Sequence, residues 1–365
     1  MSLNDENSMI GIVCFWDRLA TPYLKKYEDV LVEQGVDYEV LFWNRNSDIV
    51  EDKDRYVYVN QNCAGSKLKK IGIFIKWRKQ VLKILSQRQY DKLIILSTIP
   101  GVLLYNYLRR YYKGRFLFDI RDYTLEANPI FSHIVTRLVD FSAFTTISSK
   151  GYYEWLRPSN KIIPNHNITC GNVELVDKEY FAREKLNFTF VGNVRLDLQT
   201  RMVLSQLKNS KRYKSGFIGR IVPGCDILQL CKEDKIDNVF FRGAFDVAEK
   251  PIIYENIDLI NAVYANAPAG KINYGDSTPL PNRIYDCVCF KVPIVCCKGI
   301  YLEKIVKQYK LGFAIDAFTD NVEEEFNSYI KSFDKDTFLS GCELFLDEVR
   351  KEEQVFLNYL KEFLI

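Results

Sequence analysis

The stretch PLPNRIYDCVCFKVPIVCC, Pro279–Cys297, predicts a helix followed at once by a buried strand. Proline is tolerated in the first turn of a helix and rarely beyond it, so Pro281 marks a helix start, and we predict a helix from Asn282 to about Phe290. The run of Val, Ile and Cys at Val292–Cys296 predicts the strand. A helix that leads into a buried strand is the repeating unit of a parallel α/β sheet.

The same alternation of apolar strand segments and helical segments runs along the rest of the chain, and it predicts two doubly wound parallel sheets. The predicted strands of the first sheet are Ile10–Phe15, Tyr38–Trp43, Tyr56–Val59, Lys92–Ser97, Phe116–Ile120, Ala143–Ile147 and Lys161–Ile163. Those of the second are Phe188–Val191, Lys214–Ile218, Val239–Arg242, Leu259–Val263, Val292–Cys296 and Phe313–Ile315. The periodicity lapses over Asn167–Lys185, where we place a linker, and a last helix is predicted over Lys335–Leu360.

The length of 365 residues favours two domains, because single cores rarely grow that large. We expect a first Rossmann-like αβα domain over residues 9–168, a second over residues 186–342, and a C-terminal helix over residues 343–365. Ligands of such sheets bind where the carboxyl ends of the strands meet, so we expect a site in a cleft between the two domains.

The composition, with 47% hydrophobic and 27% charged residues, is that of an ordinary globular protein. The formal net charge of +3 is too small to indicate a nucleic-acid partner. No signal peptide is recognised, and no apolar run reaches the roughly 18 residues that suggest a transmembrane helix. These observations predict a cytoplasmic protein.

Cysteine and histidine usage argues against a metal site. The ten cysteines of a leaderless chain indicate a reducing compartment, no CxxC pair occurs, and the chain has two histidines. We interpret Cys287, Cys289, Cys296 and Cys297 as small buried apolar side chains. The DxD triplets at Asp52 and Asp334 do not follow apolar strands, so no metal is expected there either.

Three loops that follow strands of the second half carry candidate ligand-binding residues; the chain has no GxGxxG, P-loop or GxSxG motif. The first loop belongs to FTFVGNVR, Phe188–Arg195. Gly192 lets the backbone approach a ligand closely, and the guanidinium of Arg195 suits a phosphate. Arg201 lies about two helical turns further on. The alternative is a tight turn with surface arginines.

The second loop belongs to VFFRGAF, Val239–Phe245. Its backbone at Gly243 and Ala244 can border a nucleobase, with the ring of Phe245 against the face of the base. The alternative is that Gly243 serves only a tight turn.

The third loop precedes the helix at Asn282. Thr278 can cap that helix, its free N–H groups and dipole suit an anion, and Arg283 adds positive charge. Asp286 lies on the same face as Asn282, where its carboxylate can accept two hydrogen bonds from a ribose diol. The alternative for Asp286 is a solvated acid in the first turn.

In their order and spacing, these segments resemble the donor domain of GT-B-fold glycosyltransferases, in the retaining group often called family 4. The residues that carry the resemblance are FVGNVR, FFRGAF, TPLPNRIYDCVCFKVPIV and GIYLEKIVKQYKLGFAID, from Asn187 to about Asp316. The first half matches more loosely, through FDIRDYTLE, FTTISSKGYYEWL and KIIPNHN.

The resemblance implies a GT-B fold whose C-terminal helix crosses back to the first domain. It also implies a UDP- or GDP-linked sugar donor bound mostly against the second domain without a metal. Asp286 would bind the ribose, and Arg195 and Arg201 the diphosphate. The remaining donor contacts that it implies are Gly192, Asn193, Gly243, Ala244, Phe245, Leu280, Asn282 and Arg283.

The sequence departs from the family pattern at several positions. Thr278 stands where the first acid of a Glu-x7-Glu pair is common, and Asp286 is shorter than the second. Arg121 stands where a histidine is common, so Arg121, Asp122 and His133 are candidates for the acceptor side. His166 replaces a common glycine.

The segment Lys67–Arg88, KLKKIGIFIKWRKQVLKILSQR, predicts a basic helix without an acid. Projection places Lys69, Lys76, Lys79 and Lys83 on one side, and Ile71, Phe74, Ile75, Val81, Leu82 and Leu85 on the other. Such a helix, with Trp77, can lie on an anionic inner leaflet. The alternative is a helix packed on its own sheet with a solvated basic face.

The resemblance implies a hexosyltransferase that moves a sugar from the nucleotide donor to a glycan or lipid-linked acceptor in bacterial cell-surface polysaccharide assembly. Two alternatives stay open. A GT-B-fold nucleotide-sugar epimerase would need carboxylates and a histidine in the cleft, where the chain offers scattered acids. A non-catalytic binding protein would fit the missing first acid and histidine.

Overall fold

The chain forms two compact units in a computed structural model, which describes residues 9–16, 21–44, 54–60, 67–168 and 179–365. The first unit consists of Met1–His166 together with Lys351–Ile365, and the second of Asn167–Arg350. Each is built on one parallel sheet, and every strand predicted from the sequence is confirmed within a few residues.

The sheet of the first unit has seven strands in the order β3-β2-β1-β4-β5-β6-β7, all paired in parallel. The order reverses beside β1, which makes the β1–β4 edge the switch point of the sheet. The strands are β1 Met9–Cys14, β2 Asp37–Asn44, β3 Tyr56–Asn60, β4 Lys92–Leu96, β5 Phe116–Ile120, β6 Phe144–Ile147 and β7 Ile162–Pro164.

The helices of the first unit cover both faces of this sheet. They are α1 Leu24–Glu33, α2 Lys67–Gln87, α3 Thr98–Leu103, α4 Tyr105–Tyr111 and α5 Pro129–Phe141. The side chain of Asn128 caps α5 by accepting hydrogen bonds from the backbone N–H groups of Ile130 and Phe131. A short 3₁₀ turn, Lys150–Glu154, follows β6.

Helix α2 packs differently from the sequence prediction. Trp77 is fully buried, with its ring 5.0 Å from that of Phe15 and 6.0 Å from that of Trp43, so its predicted contact with a membrane is wrong. Ile71 and Ile75, predicted on the packed side, are 59% and 49% exposed. The aromatic cluster fills the core there, and it leaves these two isoleucines on the surface.

The sheet of the second unit has six parallel strands in the order β10-β9-β8-β11-β12-β13, with its switch point between β8 and β11. The strands are β8 Leu186–Val191, β9 Tyr213–Ile218, β10 Val239–Arg242, β11 Leu259–Ala262, β12 Ile294–Cys297 and β13 Gly312–Ile315. The helices are α6 Leu198–Leu207, α7 Ile227–Glu233, α8 Lys250–Glu255, α9 Tyr274–Ser277, α10 Arg283–Phe290, α11 Tyr301–Gln308, α12 Val322–Ser332 and α13 Lys335–Leu364.

The opening stretch folds as predicted into α10 and β12. Lys291 ends α10 in a left-handed conformation with φ of 50°, which turns the chain into the strand. Cys287, Cys296 and Cys297 are buried free thiols, as predicted. Cys289 is half-buried and disulfide-bonded, so its interpretation as a buried apolar side chain is wrong.

The long helix α13 belongs to both units, because its last part, from Lys351, lies in the first. Phe356 packs edge-on against Tyr27 with ring centroids 5.7 Å apart, and Phe363 contacts Phe144 at 5.8 Å. Glu353 forms an ion pair of 2.7 Å with Lys26. Within the described ranges, no helix is both long and apolar enough to cross a membrane.

Candidate functional site

The ends of β8, β9 and β10 lie side by side, and a glycine directly follows each strand: Gly192, Gly219 and Gly243. Gly192 and Gly219 have φ of +140° and +135°, which side chains rarely tolerate. A Cβ on Gly219 would lie 2.0 Å from the carbonyl oxygen of Gly192. Because these glycines carry no side chain, the two loops can touch, and no glycine side chain covers their backbone at the carboxyl edge of the sheet.

A cavity of about 270 Å³ lies at the ends of β9 and β10. Its lining is apolar side chain and backbone, from Phe217, Gly219, Arg220, Ile221, Phe241, Arg242, Gly243 and Ala244. The rings of Phe217 and Phe241 stack with centroids 5.4 Å apart. Gly243 and Ala244 line this cavity, whereas Phe245 is not part of its lining; their contact with a nucleobase stays a prediction.

Arg283, the first residue of α10, lies beside the first glycine loop. Its guanidinium carbon is 4.1 Å from the ring centroid of Phe190 and 5.1 Å from that of Tyr264. Its Nη1 is 3.7 Å from the position that a Cβ on Gly192 would take. Two rings therefore hold this guanidinium next to the bared backbone of the β8 loop.

The buried Nε of Arg283 has no hydrogen-bond partner, and the guanidinium makes no ion pair with any residue that the structure describes. Burial lowers the pKa of Arg283, and the charges of nearby Asp286 and Asp197 only partly oppose that effect. The side chain of nearby Asp197 caps α6, accepting a hydrogen bond of 2.9 Å from the backbone of Thr200. A partly buried cation with no ion pair among the described residues is a candidate for binding an anion.

Asp286 is held by two donors from α8. Its Oδ1 accepts a hydrogen bond of 2.7 Å from Lys250 Nζ, and its Oδ2 accepts one of 2.7 Å from the hydroxyl of Tyr254. Burial, followed by the charge of Asp286, raises the pKa of Tyr254. Asp286 is 4% exposed, so the alternative of a solvated first-turn acid is wrong.

Sequence reasoning missed Lys250 and Tyr254. The signal was weak, because it consists only of a lysine and a tyrosine four residues apart, which share a helix face. Gly219 was also missed, although it follows a strand as Gly192 and Gly243 do.

The other residues predicted at this edge lie in different surroundings. Asn193, Arg195 and Asn282 are exposed, and Arg201 forms an ion pair of 3.6 Å with Asp226 at the surface. Leu280 is buried. The predicted cap by Thr278 is wrong, because its hydroxyl donates to the carbonyl of Tyr274 at 2.6 Å and Asn282 occupies the N-cap position of α10.

In the first unit, Arg121 is buried and makes several polar contacts. Its Nε donates to Asp119 Oδ2 at 2.8 Å, its Nη1 donates to the carbonyl of Asn165 at 3.1 Å, and its guanidinium lies 4.4 Å from the ring centroid of Tyr23. Burial acts to lower the pKa of Arg121, but Asp119 together with Tyr27 and Tyr23 outweighs burial, and the pKa is raised. Arg121 therefore joins strand ends of its own sheet.

The remaining candidates of the first unit fall into two groups. Asp122 and His133 are exposed. His166 is buried, and its Nε2 lies 2.6 Å from Glu352 Oε2, while Oε1 of the same carboxylate pairs with Lys150. Within the described part of the chain, no group of three or more His, Cys, Asp or Glu side chains is placed to hold a metal ion.

No protein-family model matches the sequence, and no curated protein matches it. Solved structures do match over nearly the whole chain. A sucrose-phosphate synthase from Thermosynechococcus elongatus has 11% identity and a TM-score of 0.69, with 98% of this chain and 96% of that chain covered. Anabaena HepE, solved in complex with UDP and glucose, has 12% identity and a TM-score of 0.66, with 97% and 100% covered.

A third similar structure is the lipopolysaccharide outer core galactosyltransferase WaaB in its apo form. It has 13% identity and a TM-score of 0.65, with 97% of this chain and 99% of that chain covered. At such low identity the likeness concerns the fold. The chain has the GT-B fold of glycosyltransferases, with two parallel-sheet α/β domains.

Proposed function

We propose that this protein is a glycosyltransferase of the family 4 type that transfers a sugar, with retention, from a UDP- or GDP-linked donor. The acceptor is a glycan or a lipid-linked sugar of a cell-surface polysaccharide, and the reaction takes place in the cytoplasm. The observation that carries the proposal is Arg283, a guanidinium beside the Gly192 loop that has no ion pair among the described residues.

The diphosphate of the donor supplies the charge that Arg283 lacks. A guanidinium binds phosphate oxygens through paired N–H groups, and the start of α10 adds free backbone N–H groups and the positive end of its dipole. Arg195 and Arg201 are exposed and reach the same anion only from the solvent side. Arg283 is therefore the main diphosphate ligand in this proposal.

In this proposal the base and the ribose of the donor bind on either side of the region next to Arg283, the base in the cavity and the ribose at Asp286. The 270 Å³ cavity behind Gly243 and Ala244 is large enough for a flat heterocycle and borders it with backbone. Asp286, on the same helix as Arg283, binds the ribose hydroxyls. The relative HepE was solved with UDP and glucose, which supports a nucleotide-sugar donor here.

Transfer breaks the bond between the sugar and the diphosphate, so negative charge develops on the leaving phosphate oxygen. A preorganised guanidinium stabilises that charge most in a site with little water. Arg283 thus acts on the leaving group without a metal. On the acceptor side we retain the exposed Asp122, while Arg121 serves to hold the strand ends.

We also propose peripheral contact with an anionic membrane through α2. The exposed isoleucines, Ile71 and Ile75, share the helix with three exposed lysines, Lys76, Lys79 and Lys83. Apolar insertion combined with basic charge binds anionic leaflets. Replacing the three lysines by Gln is expected to abolish co-sedimentation with anionic liposomes.

The matched control for this liposome experiment replaces Lys208, Lys211 and Lys232, which are exposed in the second unit, by Gln. It removes the same charge from a different surface. Equal binding of the two triple variants would reject α2 as the docking surface.

The donor site is tested by thermal shift with UDP, GDP and their sugars, on the wild type, Arg283→Gln and the exposed control Arg157→Gln. A ligand at 100 times its Kd stabilises the folded state by about 2.7 kcal/mol. We expect stabilisation of the wild type and the control and its loss in Arg283→Gln. No shift with any nucleotide would reject the donor site.

Product analysis separates the remaining alternatives. A glycosyltransferase consumes the donor only with an acceptor, and an epimerase converts it without one. Tight nucleotide binding with neither reaction would favour a non-catalytic binding protein, which the missing first acid at Thr278 also fits.

A further inference from the structure

The ion pair between Lys250 and Asp286 joins the two loops on which the proposed donor site depends. Lys250 begins α8, shortly after the loop that contains Gly243, and Asp286 lies in the first turn of α10. Their contact of 2.7 Å spans 36 positions of sequence. The side chains are 15% and 6% exposed, so the pair is shielded but still reachable from solvent.

The pair keeps unused hydrogen-bonding capacity of both kinds. An ammonium group has three donors, and Lys250 uses one of them, with no second hydrogen bond anywhere in the described ranges. The carboxylate of Asp286 has accepted one hydrogen bond on each oxygen and retains further lone pairs. Together the two side chains offer a donor and an acceptor at one place.

A sugar hydroxyl needs such a combination, because it donates one hydrogen bond and accepts others. A carboxylate alone can accept the hydrogen bond that each hydroxyl donates, but it cannot donate one to the hydroxyl oxygen. Tyr254 keeps the carboxylate in place from the opposite oxygen, and its ring is anchored by stacking on Phe290 at 4.5 Å. The geometry of the acceptor group is therefore set before a ligand arrives.

We propose that Lys250 and Asp286 form a ribose-recognition pair that makes this site selective for ribonucleotides over 2′-deoxyribonucleotides. The carboxylate accepts hydrogen bonds from the ribose hydroxyls, and the ammonium of Lys250 donates to them. The inference rests on the proposed nucleotide-sugar function and adds Lys250 as a specificity-determining residue. A ligand without the 2′-hydroxyl leaves shielded polar groups unpaired, which is costly.

The test is calorimetric binding of UDP and 2′-deoxy-UDP, or of GDP and 2′-deoxy-GDP if guanine is the base that stabilises the protein. We expect the wild type to prefer the ribonucleotide by about tenfold or more, the range of a hydrogen bond to a charged group. In Lys250→Met this preference is expected to fall to about threefold or less, mainly through weaker ribonucleotide binding.

Three further variants keep the result interpretable. Lys250→Met leaves the shielded carboxylate of Asp286 with Tyr254 as its one remaining partner, and this single variant could fail to fold. In that case Lys250→Met/Asp286→Asn, which removes both charges, replaces it. Lys250→Arg preserves a donor and is expected to retain part of the preference. Lys232→Met, an exposed lysine of the same unit, is expected to behave as the wild type.

The outcomes separate this inference from the function on which it rests. If the wild type binds no nucleotide, the proposed function fails and the ribose pair with it. If the wild type binds nucleotides but Lys250→Met retains the full preference for ribose, or loses both ligands equally, the pair is structural and only this inference is overturned.

Discussion

Arg121 and Arg283 are inward-facing arginines, one in each unit, and they differ in whether an acidic side chain pairs with the guanidinium. Arg121 has an ion pair with Asp119, a hydrogen bond to the carbonyl of Asn165 and a ring of Tyr23 against it. Arg283 has two rings against it, but no ion pair with any described residue. The sequence shows an arginine at both positions, and only the contacts in the folded protein distinguish the two.

The difference follows from the cost of burying charge. A buried cation is stable when an anion and hydrogen bonds replace its water, and it is poised for a ligand when they do not. Arg121 has such an anion in Asp119, whose charge contributes to its raised pKa. Burial lowers the pKa of Arg283, and in the proposed function the donor diphosphate supplies its anion.

The largest expected effect on stability is that of Arg121→Met. Removal of one partner leaves Asp119 buried and uncompensated, which should lower the free energy of unfolding by about 3–5 kcal/mol. Urea denaturation measures it. The double variant Arg121→Met/Asp119→Asn should recover part of the loss, and a loss below about 1 kcal/mol in the single variant would contradict the structural role.

Arg283→Met should affect activity rather than stability, the reverse of what is expected for Arg121→Met. The free protein should keep its stability, or gain slightly, because a poorly compensated charge is removed. Sugar transfer, measured as kcat/KM, should fall by about 10²–10³-fold, as for other preorganised groups that stabilise a leaving charge. A large loss of stability with intact transfer would place Arg283 in the same class as Arg121.

The smallest expected effect concerns Glu352, beside His166 and Lys150. Burial alone would raise its pKa, but the hydrogen bonds from these two neighbours and their positive charges lower it. A lowered folded-state pKa stabilises the protein above the unfolded value of about 4.5, and that stability is lost as pH falls through the folded pKa. Glu352→Gln should therefore cost about 1 kcal/mol at pH 7.

Thermal unfolding between pH 7 and pH 3 tests this prediction. The difference in Tm between the wild type and Glu352→Gln should shrink toward the acid end. Glu362→Gln, an exposed acid on the same helix, is the control, with little difference from the wild type at any pH. A constant difference for Glu352→Gln would show that it acts by packing rather than by charge.

Much of the candidate site was predictable because its signals are local. Gly192 and Gly243 each follow a strand, and Arg283 follows the prolines that start α10, so short patterns place all three at the carboxyl edge of one sheet. Parallel strands bring such ends together whatever the details of packing. The cavity beside Gly243 follows from the same arrangement.

Other parts depended on contacts that no local pattern encodes. Asp286 was recognised, but its partner Lys250 lies 36 positions away. Trp77 lies among basic residues in the sequence, as a surface residue would, yet its ring packs against those of Phe15 and Trp43. The residue pattern of α2 did not decide which side the helix buries, because Ile71 and Ile75 are exposed while Trp77 is buried.

The amino-acid sequence by itself determined the two parallel α/β sheets and the glycine-marked strand ends, because hydrophobic periodicity and backbone freedom act over a few residues. Only the tertiary structure decided which charged groups are paired. An ion pair depends on atoms about 3 Å apart, and residues distant in sequence reach that distance only when the sheets have packed. That pairing distinguishes Arg121, which has an ion pair with Asp119, from Arg283, which we propose to bind the donor diphosphate.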